Sequence, residues 1–218
     1  MSEKLTRVLI VDDHPLFRDR VVQLINQQSD LRVCAEVETA EQAIQFARDQ
    51  APDLAIIDIT LKQSSGLELI KAMKANSIGA PILVLSMHEE SHYAERALRI
   101  GASGYITKSQ PAEEVLSAIR RVLAGEIYLS EKMTSLLLRN LAATKSKSAA
   151  RAFDRLTDRE LEVLELVGRG KTTRQIAENL RIGEASVDTY RARIKDKMNF
   201  RNAVQLQRFA VRWVRGSE

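Results

Sequence analysis

Residues 7–13 read Arg7-Val8-Leu9-Ile10-Val11-Asp12-Asp13. In this stretch four apolar residues, Val8–Val11, lead directly into an acidic pair. A continuous apolar run of this length predicts a strand buried on both faces, which is typical of a parallel sheet covered by helices. In such a sheet, ligands bind at the carboxyl ends of the strands. The stretch therefore predicts an α/β fold and marks the end of its first strand as a candidate functional site.

Four similar runs follow at a spacing of about 25 residues, and amphipathic stretches separate them. Together with Val8–Val11 they predict five strands, the other four being Leu31–Ala35, Leu54–Ile57, Ile82–Leu85 and Gly104–Ile106. Among the helical signals are a capping box at Thr39-Ala40-Glu41-Gln42, Pro111 in the first turn of the last helix, and a further helix over Ser130–Ala143. We expect a five-stranded, doubly wound, flavodoxin-like domain.

The carboxyl ends of the predicted strands carry a recurrent set of polar residues. Besides Asp12 and Asp13, Asp58 follows the third run, Ser86 follows the fourth and Lys108 follows the fifth. Clustered carboxylates repel one another unless a hard cation such as Mg²⁺ takes oxygen ligands from them. A lysine and a hydroxyl beside them suit the oxygens of a phosphoryl group. The pattern predicts a Mg²⁺ site at which a phosphoryl group is handled.

The net charge of +4 is unevenly distributed. Residues 1–128 hold 14 basic and 18 acidic residues, a net charge of −4, whereas residues 129–218 hold 19 and 11, a net charge of +8. The basic half suits a polyanionic partner, either nucleic acid or an anionic membrane face. Cys34 is the only cysteine, and no apolar stretch reaches the roughly 18 residues of a membrane span. We expect a cytoplasmic protein that makes no membrane contact.

The second half predicts an all-α domain after a polar, basic linker at Thr144–Arg155. Capping boxes at Thr157–Glu160 and Thr172–Gln175 open two helices, and the short turn Arg181–Gly183 then leads to a third, Glu184–Met198. A short glycine-containing turn between compact helices is typical of a helix-turn-helix. A fourth helix, Asn202–Val214, carries more apolar surface than one small core needs, so it either packs within the monomer or pairs two copies.

The helix Glu184–Met198 has two distinct faces. Val187, Ile194 and Met198 point inward on a helical wheel, and the opposite face is small and polar. Thr189 suits a thymine methyl and Asp188 a cytosine amino group. The remaining polar residues suit phosphates. The predicted DNA contacts are Thr172, Thr173, Arg174, Ser186, Asp188, Thr189, Tyr190, Arg191, Ala192, Arg193, Lys195 and Lys197.

Residues 5–125 resemble the receiver domain of two-component response regulators, through the acidic pair, Asp58, Ser86, Tyr105 and Lys108. The resemblance implies that Asp58 accepts a phosphoryl group from a sensor histidine kinase. It implies Mg²⁺ ligands at Asp13, at Asp58 and at the carbonyl of Thr60, with Asp12 acting through water. Lys108 and Ser86 would grip the phosphoryl group, while Tyr105 turns inward as part of the switch.

Residues 156–214 resemble the LuxR-type helix-turn-helix, and its pairing with a receiver resembles the NarL/FixJ subfamily. The resemblance rests on LTxRExEVL from Leu156 and on the I-A-x-x-L and S-V-x-x-Y patterns that follow. It implies that the last helix pairs two DNA-binding domains. Gly183, Asp188 and Tyr190 depart from the family pattern, and the acid at Asp188 reverses the sign of the contact a base would make.

These features predict three parts: a receiver over 1–127, a linker helix and basic linker over 128–155, and a helix-turn-helix domain over 156–218. We expect a transcription regulator that is not an enzyme, binds double-stranded DNA, and forms a homodimer when phosphorylated. One alternative is a Mg²⁺-dependent phosphohydrolase that uses Asp58 as its nucleophile. The other keeps DNA binding but makes the first domain a dimerisation module independent of phosphorylation.

Overall fold

The computed structural model describes residues 5–61, 64–142, 153 and 155–215. The chain divides into two compact units, Met1–Leu136 and Leu137–Glu218. Most of the predicted linker, all of Thr144–Arg155 except Phe153 and Arg155, lies outside the described residues. The predicted domain limits at 127 and 155 stay predictions.

The first unit is built on a five-stranded parallel sheet with helices between successive strands, which confirms the predicted doubly wound fold. The strands of the first unit are β1 Thr6–Val11, β2 Leu31–Val37, β3 Leu54–Ile57, β4 Thr60–Leu61, β5 Ser64–Ser65, β6 Ile82–Ser86 and β7 Gly104–Thr107. The strand order in the sheet is β2-β1-β3-β6-β7, and β4 and β5 form a separate short hairpin. The helices are α1 Pro15–Asn26, α2 Ala40–Gln50, α3 Gly66–Ala75, α4 Glu90–Arg99 and α5 Ala112–Leu123.

The sheet is apolar on both faces because helices cover both. Val8 and Ile10 of β1 pack with α1 and α5 residues such as Ile25 and Ile119 in one core cluster, and all four are buried. The register pairs Val11 with Ile57, so β1 and β3 end side by side. The Asp58 N–H donates to the Val11 carbonyl at 2.9 Å. This pairing sets Asp58 beside the acidic pair that follows β1.

Three local features of the first unit differ from the predictions. The hairpin of β4 and β5 was not predicted, because two-residue strands show no periodicity. The Thr39 side chain caps α2 by accepting from the Gln42 N–H. A capping box would also need the Gln42 side chain to accept from the Thr39 N–H, but it accepts from the Glu38 N–H, so this half of the prediction is wrong. Pro111 is the N-cap of α5 and lies just before its first turn.

The segment after α5 is attached to the sheet by Tyr128. The Tyr128 N–H donates to the Ser103 carbonyl at 3.1 Å, and its carbonyl accepts from the Tyr105 N–H at 2.9 Å. The Tyr128 hydroxyl donates to Glu114 at 2.7 Å. Helix α6, Glu131–Ala142, follows, and the Ser130 hydroxyl caps it by accepting from the Met133 N–H.

After α6, the described residues of the second unit form four helices, which confirms the all-α prediction: α7 Asp158–Gly168, α8 Thr173–Leu180, α9 Glu184–Lys197 and α10 Ala203–Arg215. Both predicted capping boxes form, at Thr157–Glu160 and Thr172–Gln175. Helix α7 packs against α9 and α10. The turn between α8 and α9 places Arg181 in the left-handed conformation, φ 52°, and Gly183 is the N-cap of α9.

Candidate functional site

The carboxyl edge of the sheet brings together the acidic residues and the lysine that the sequence predicted there. Lys108, which follows β7, places its Nζ 2.6 Å from Asp12 Oδ2 and 2.8 Å from Asp58 Oδ2. Asp12, Asp13, Asp58 and Lys108 are all buried. Since Asp12 follows β1 and Asp58 follows β3, one ammonium group joins the ends of three strands.

Burial and charge act against each other at the two carboxylates that contact Lys108. Burial raises the pKa of Asp58 above its ordinary value, the nearby Asp12 raises it further, and Lys108 opposes both. Burial also favours a higher pKa at Asp12, but hydrogen bonds from His14 and the charge of Lys108 outweigh it and lower that pKa. The two carboxylates therefore differ in basicity, and Asp58 is the more basic of the pair.

His14 belongs to this cluster and was not predicted. Its Nδ1 lies 2.9 Å from Asp13 Oδ1, 3.3 Å from Asp12 Oδ1 and 3.7 Å from Asp58 Oδ2. Hydrogen bonds to Asp12 and Asp13 raise the pKa of His14 to about 9, although burial opposes them. The sequence signal was available, since His14 directly follows the acidic pair.

The oxygen donors of the cluster fit a Mg²⁺ ion. Four possible ligand atoms lie within 4.8 Å of one another, one each from Asp12, Asp13, His14 and Asp58. Asp58 Oδ1 is buried and has no hydrogen-bond partner among the described residues. Carboxylate oxygen is the ligand that Mg²⁺ prefers, and it binds through one or two of them. Because Mg²⁺ prefers oxygen to imidazole nitrogen, the aspartates are the residues of this group that fit it.

Ser86, Thr60 and Tyr105 surround His88, a second residue that was not predicted. The Ser86 hydroxyl is buried and accepts from the His88 N–H at 3.4 Å, and Thr60 Oγ1 lies 2.9 Å from His88 Nε2. Tyr105 is fully buried, and its hydroxyl donates to the His88 carbonyl at 2.9 Å. Tyr105 therefore already lies inward, and His88 connects it to the residues beside Asp58.

Gly66 is a third residue that was not predicted. A Cβ at this position would lie 1.9 Å from the Asp58 carbonyl oxygen. The Gly66 N–H donates to the Ile59 carbonyl at 2.6 Å. The start of α3 thus packs directly against the backbone that carries Asp58, and only glycine fits there.

In the second unit, α9 has the two faces that its sequence predicted. Val187 and Ile194 are buried, and Met198, just after the helix, is half-buried. The opposite face is exposed and contains Ala185, Thr189, Ala192 and Asp196, and Asp188 and Arg193 are exposed at its two margins. Ser186 is also exposed, and Tyr190 is half-buried.

Several of the predicted DNA contacts already have partners inside the unit. Thr172 caps α8, Arg191 donates to the Thr173 hydroxyl at 2.8 Å, and Thr189 donates to the Ala185 carbonyl at 2.9 Å. Arg174 pairs with Glu178, and Lys197 pairs with Glu160. Arg193 and Lys195 have no ion pair or hydrogen bond of their side chains within the part of the chain that the structure describes.

The apolar surface of α10 is partly covered within the unit. Phe153 stacks on Phe209 and Trp213, with ring centroids 5.7 and 5.1 Å apart, and Phe200 lies 5.2 Å from Phe209. Val204 is 58% exposed. Packing within the monomer therefore covers part of the aromatic surface of α10, whereas Phe209 and Trp213 stay half-buried and Val204 is exposed.

Among the described helices, none is both long and apolar enough to cross a membrane.

Two family models match the chain, one for each unit. Residues 8–120 match the response regulator receiver domain, and residues 154–210 match bacterial regulatory proteins of the luxR family. A putative transcriptional regulator of Pseudomonas aeruginosa is 35% identical over 208 residues, which span 95% of this chain and 98% of the relative. The nitrate/nitrite response regulator protein NarL of Escherichia coli strain K12 is 33% identical over 204 residues, 94% of each chain.

A solved structure agrees with these matches. The crystal structure of a LuxR-family two-component response regulator from Aurantimonas sp. SI85-9A1 superposes with a TM-score of 0.59 at 32% identity, covering 64% of this chain and 99% of that one. Both domain families and near full-length relatives thus agree with the two-unit organisation of the chain. The chain belongs to the two-component response regulators that combine a receiver domain with a LuxR-type DNA-binding domain.

Proposed function

We propose that this response regulator controls transcription by binding DNA, and that Mg²⁺-dependent phosphorylation of Asp58 by a partner sensor histidine kinase switches it. One observation carries the proposal. The buried Asp58 carboxylate has one oxygen held by Lys108 at 2.8 Å and a second, Oδ1, that has no hydrogen-bond partner in the described chain. A buried carboxylate with an open oxygen beside two further acids is arranged to form a new bond.

In the proposed reaction, Asp58 attacks the phosphorus of a phosphohistidine in line with its P–N bond. The new P–O bond forms as the P–N bond breaks, and the histidine nitrogen keeps the electron pair. Asp13, Asp58 and the Thr60 carbonyl would hold Mg²⁺, with Asp12 acting through water. When bound, the ion neutralises charge on the phosphoryl oxygens. Lys108 transfers its contact from Asp58 to the phosphoryl group, and the Ser86 hydroxyl donates to the same group.

The proposed output is promoter binding by a homodimer. The positive second half of the chain supplies the charge, and α9 is the helix that enters the major groove. The proposed contacts are Thr172, Thr173, Arg174, Ser186, Asp188, Thr189, Tyr190, Arg191, Ala192, Arg193, Lys195 and Lys197. Because the DNA partner lies in the bacterial cytoplasm, the proposal places the protein there.

Labelled acetyl phosphate tests the phosphorylation directly. The full-length protein should incorporate phosphate with Mg²⁺ and lose that incorporation with a chelator. Asp58→Asn should incorporate none, whereas Asp49→Asn, which changes an exposed aspartate of α2, should match the native protein. Incorporation by Asp58→Asn, or DNA binding that phosphorylation leaves unchanged, would contradict the proposal.

A further inference from the structure

The exposed face of α9 is small and has an acid at one margin and a base at the other. Ala185, Thr189, Ala192 and Asp196 lie on it at helical spacing, and Asp188 and Arg193 are exposed at its two margins. Asp188 and Asp196 are its two acids. A helix that enters a groove lined by phosphates is repelled by an acid unless the acid meets a donor on a base edge.

Asp188 has no positively charged partner among the described residues of the unit. Its side chain is exposed, and it makes no ion pair or hydrogen bond with any residue that the structure describes. The nearby Arg191 donates to the Thr173 hydroxyl, and the Thr189 hydroxyl donates to the Ala185 carbonyl. Alanines occupy the positions three before and four after Asp188, whereas Glu184 and Arg191 occupy the positions four before and three after it. The neighbours of Asp188 toward the exposed face are therefore small, and on that side α9 can bring the carboxylate close to a base.

We propose that Asp188 determines the base specificity of α9, selecting cytosine and excluding guanine at one position of each half-site. The inference rests on the proposed DNA-binding function. In the major groove, cytosine presents an amino donor, whereas guanine presents two acceptors, N7 and O6, that repel a carboxylate. Adenine adds an acceptor beside its donor, and thymine offers an acceptor and a methyl group. Cytosine is therefore the best match for an acid that has no donor of its own.

Asp196 provides an internal comparison. It lies eight residues further along the same face, about 12 Å along the helix axis. Residues near the N-terminus of a recognition helix reach the base edges. Asp188 is the fifth residue of α9, and Asp196 is in its last turn. Replacing the acid by a base at each position in turn thus separates an effect on base choice from an effect on the overall attraction between the protein and DNA.

Selection of bound sites from a random DNA library tests the inference with the full-length protein after treatment with acetyl phosphate. The native protein should recover cytosine at one position per half-site and deplete guanine there by about 5- to 150-fold, the range of one good base contact. Asp188→Lys should exchange the preference to guanine, and Asp188→Asn should shift it toward adenine. Asp196→Lys should strengthen binding to all sites and leave the selected sequence unchanged.

The possible failures can be distinguished. If Asp188→Lys and Asp188→Asn select the native sequence, the inference is wrong and DNA binding stands. If the native protein selects no sequence at all, the proposed function fails and the inference fails with it. A changed sequence with Asp196→Lys as well would also overturn the assignment to Asp188. Because both positions are exposed, matching circular dichroism spectra should show that every variant folds.

Discussion

The backbone that carries Asp58 packs against Gly66 so closely that a methyl group has no room. The nearest atom to a Cβ at Gly66 would be the Asp58 carbonyl oxygen, at 1.9 Å, and it belongs to the backbone and not to a flexible side chain. The conflict can only be relieved by moving the loop after β3 or the start of α3. Movement of the loop displaces the Asp58 carboxylate from Lys108, and movement of α3 disrupts its packing on that loop.

Gly66→Ala should therefore reduce both stability and phosphorylation. We expect a loss of about 1–3 kcal/mol in the free energy of unfolding, which is typical of an overpacked site, and loss of most phosphate incorporation. Urea denaturation and labelled acetyl phosphate measure the two effects. Gly79→Ala is the matched control, since a Cβ there meets nothing within 4 Å. Equal stability and equal phosphate incorporation of the two variants would contradict the close approach of Gly66 to the backbone of Asp58.

Glu160 makes the second unit sensitive to acid. Burial favours a higher pKa, but the hydrogen bond from Lys197 and the bonds at the Thr157 cap outweigh it and hold the pKa of Glu160 below its ordinary value of 4.5. A carboxylate whose pKa is lowered by folding stabilises the fold above that ordinary value. The contribution is lost as the pH falls through the lower, folded pKa.

Glu160→Gln should therefore melt at a lower temperature than the native protein at pH 7, and the difference should shrink as the pH falls below 4.5. Thermal melts followed by tryptophan fluorescence report on this unit, because Trp213 is the only tryptophan. Glu178→Gln, which alters an exposed pair with Arg174, is the control and should show little difference at any pH. A difference for Glu160→Gln that does not change with pH would rule out the charge as its cause.

At the scale of elements, the start of α6 is tied to the start of α4. The Ser130 N–H donates to Glu90 Oε1 at 2.9 Å, while the Ser130 hydroxyl and carbonyl accept from the first turn of α6. Glu90 is the first residue of α4 and follows Ser86 by four positions. Ser130 therefore links the start of α6 to α4, the helix that follows Ser86.

Glu90→Ala should loosen the beginning of α6. A hydrogen bond to a charged acceptor contributes about 1.5–3 kcal/mol, so amide hydrogen exchange over residues 128–136 should accelerate by about 10-fold or more. The neighbouring Glu89→Ala removes an exposed acid that makes no side-chain bond to the described residues, and it should exchange like the native protein. If the two variants exchange alike, the Glu90–Ser130 bond does not hold α6.

Strands and caps were predictable because their signals are local. Val8–Val11 and the four later runs are apolar throughout, and Thr157 and Thr172 stand three residues before Glu160 and Gln175. The position of Tyr128 beside β7 had no such signal, since one residue bridging to a strand has no period. Gly66 was missed because its role depends on a neighbour brought close by folding. At the sheet edge, residue types predicted the aspartates and the lysine, and His14 could have been added because it directly follows the acidic pair. The position of His88 required the folded geometry.

At the scale of the whole molecule, acidic and basic residues are unevenly distributed between the two halves of the chain. The acidic first half is unsuited to DNA, and the second half carries a net charge of +8. Arg193 and Lys195 beside the exposed face of α9 have no partners among the described residues, so they are available to phosphates. By contrast, Arg174 and Lys197 would have to leave acidic partners first.

Salt dependence of DNA binding should report this difference. Replacing Arg193 and Lys195 together by alanine should reduce the slope of log affinity against log salt concentration by about two, one for each phosphate that the variant no longer neutralises. Fluorescence anisotropy over a potassium chloride series provides the measurement. Arg20→Ala, which removes an exposed base of α1, should leave the slope unchanged. An equal reduction for that variant would show that the first half also contributes to DNA attraction.

The attachment of Tyr128 to β7 also limits how two molecules can join. An open sheet edge is a template on which a foreign strand can add, leading to polymers with no fixed size. On this side of the sheet, Tyr128 already uses the backbone groups of Ser103 and Tyr105. Growth by strand addition is thus blocked at β7, and assembly there has to proceed through side chains, which favours a closed pair over a fibre.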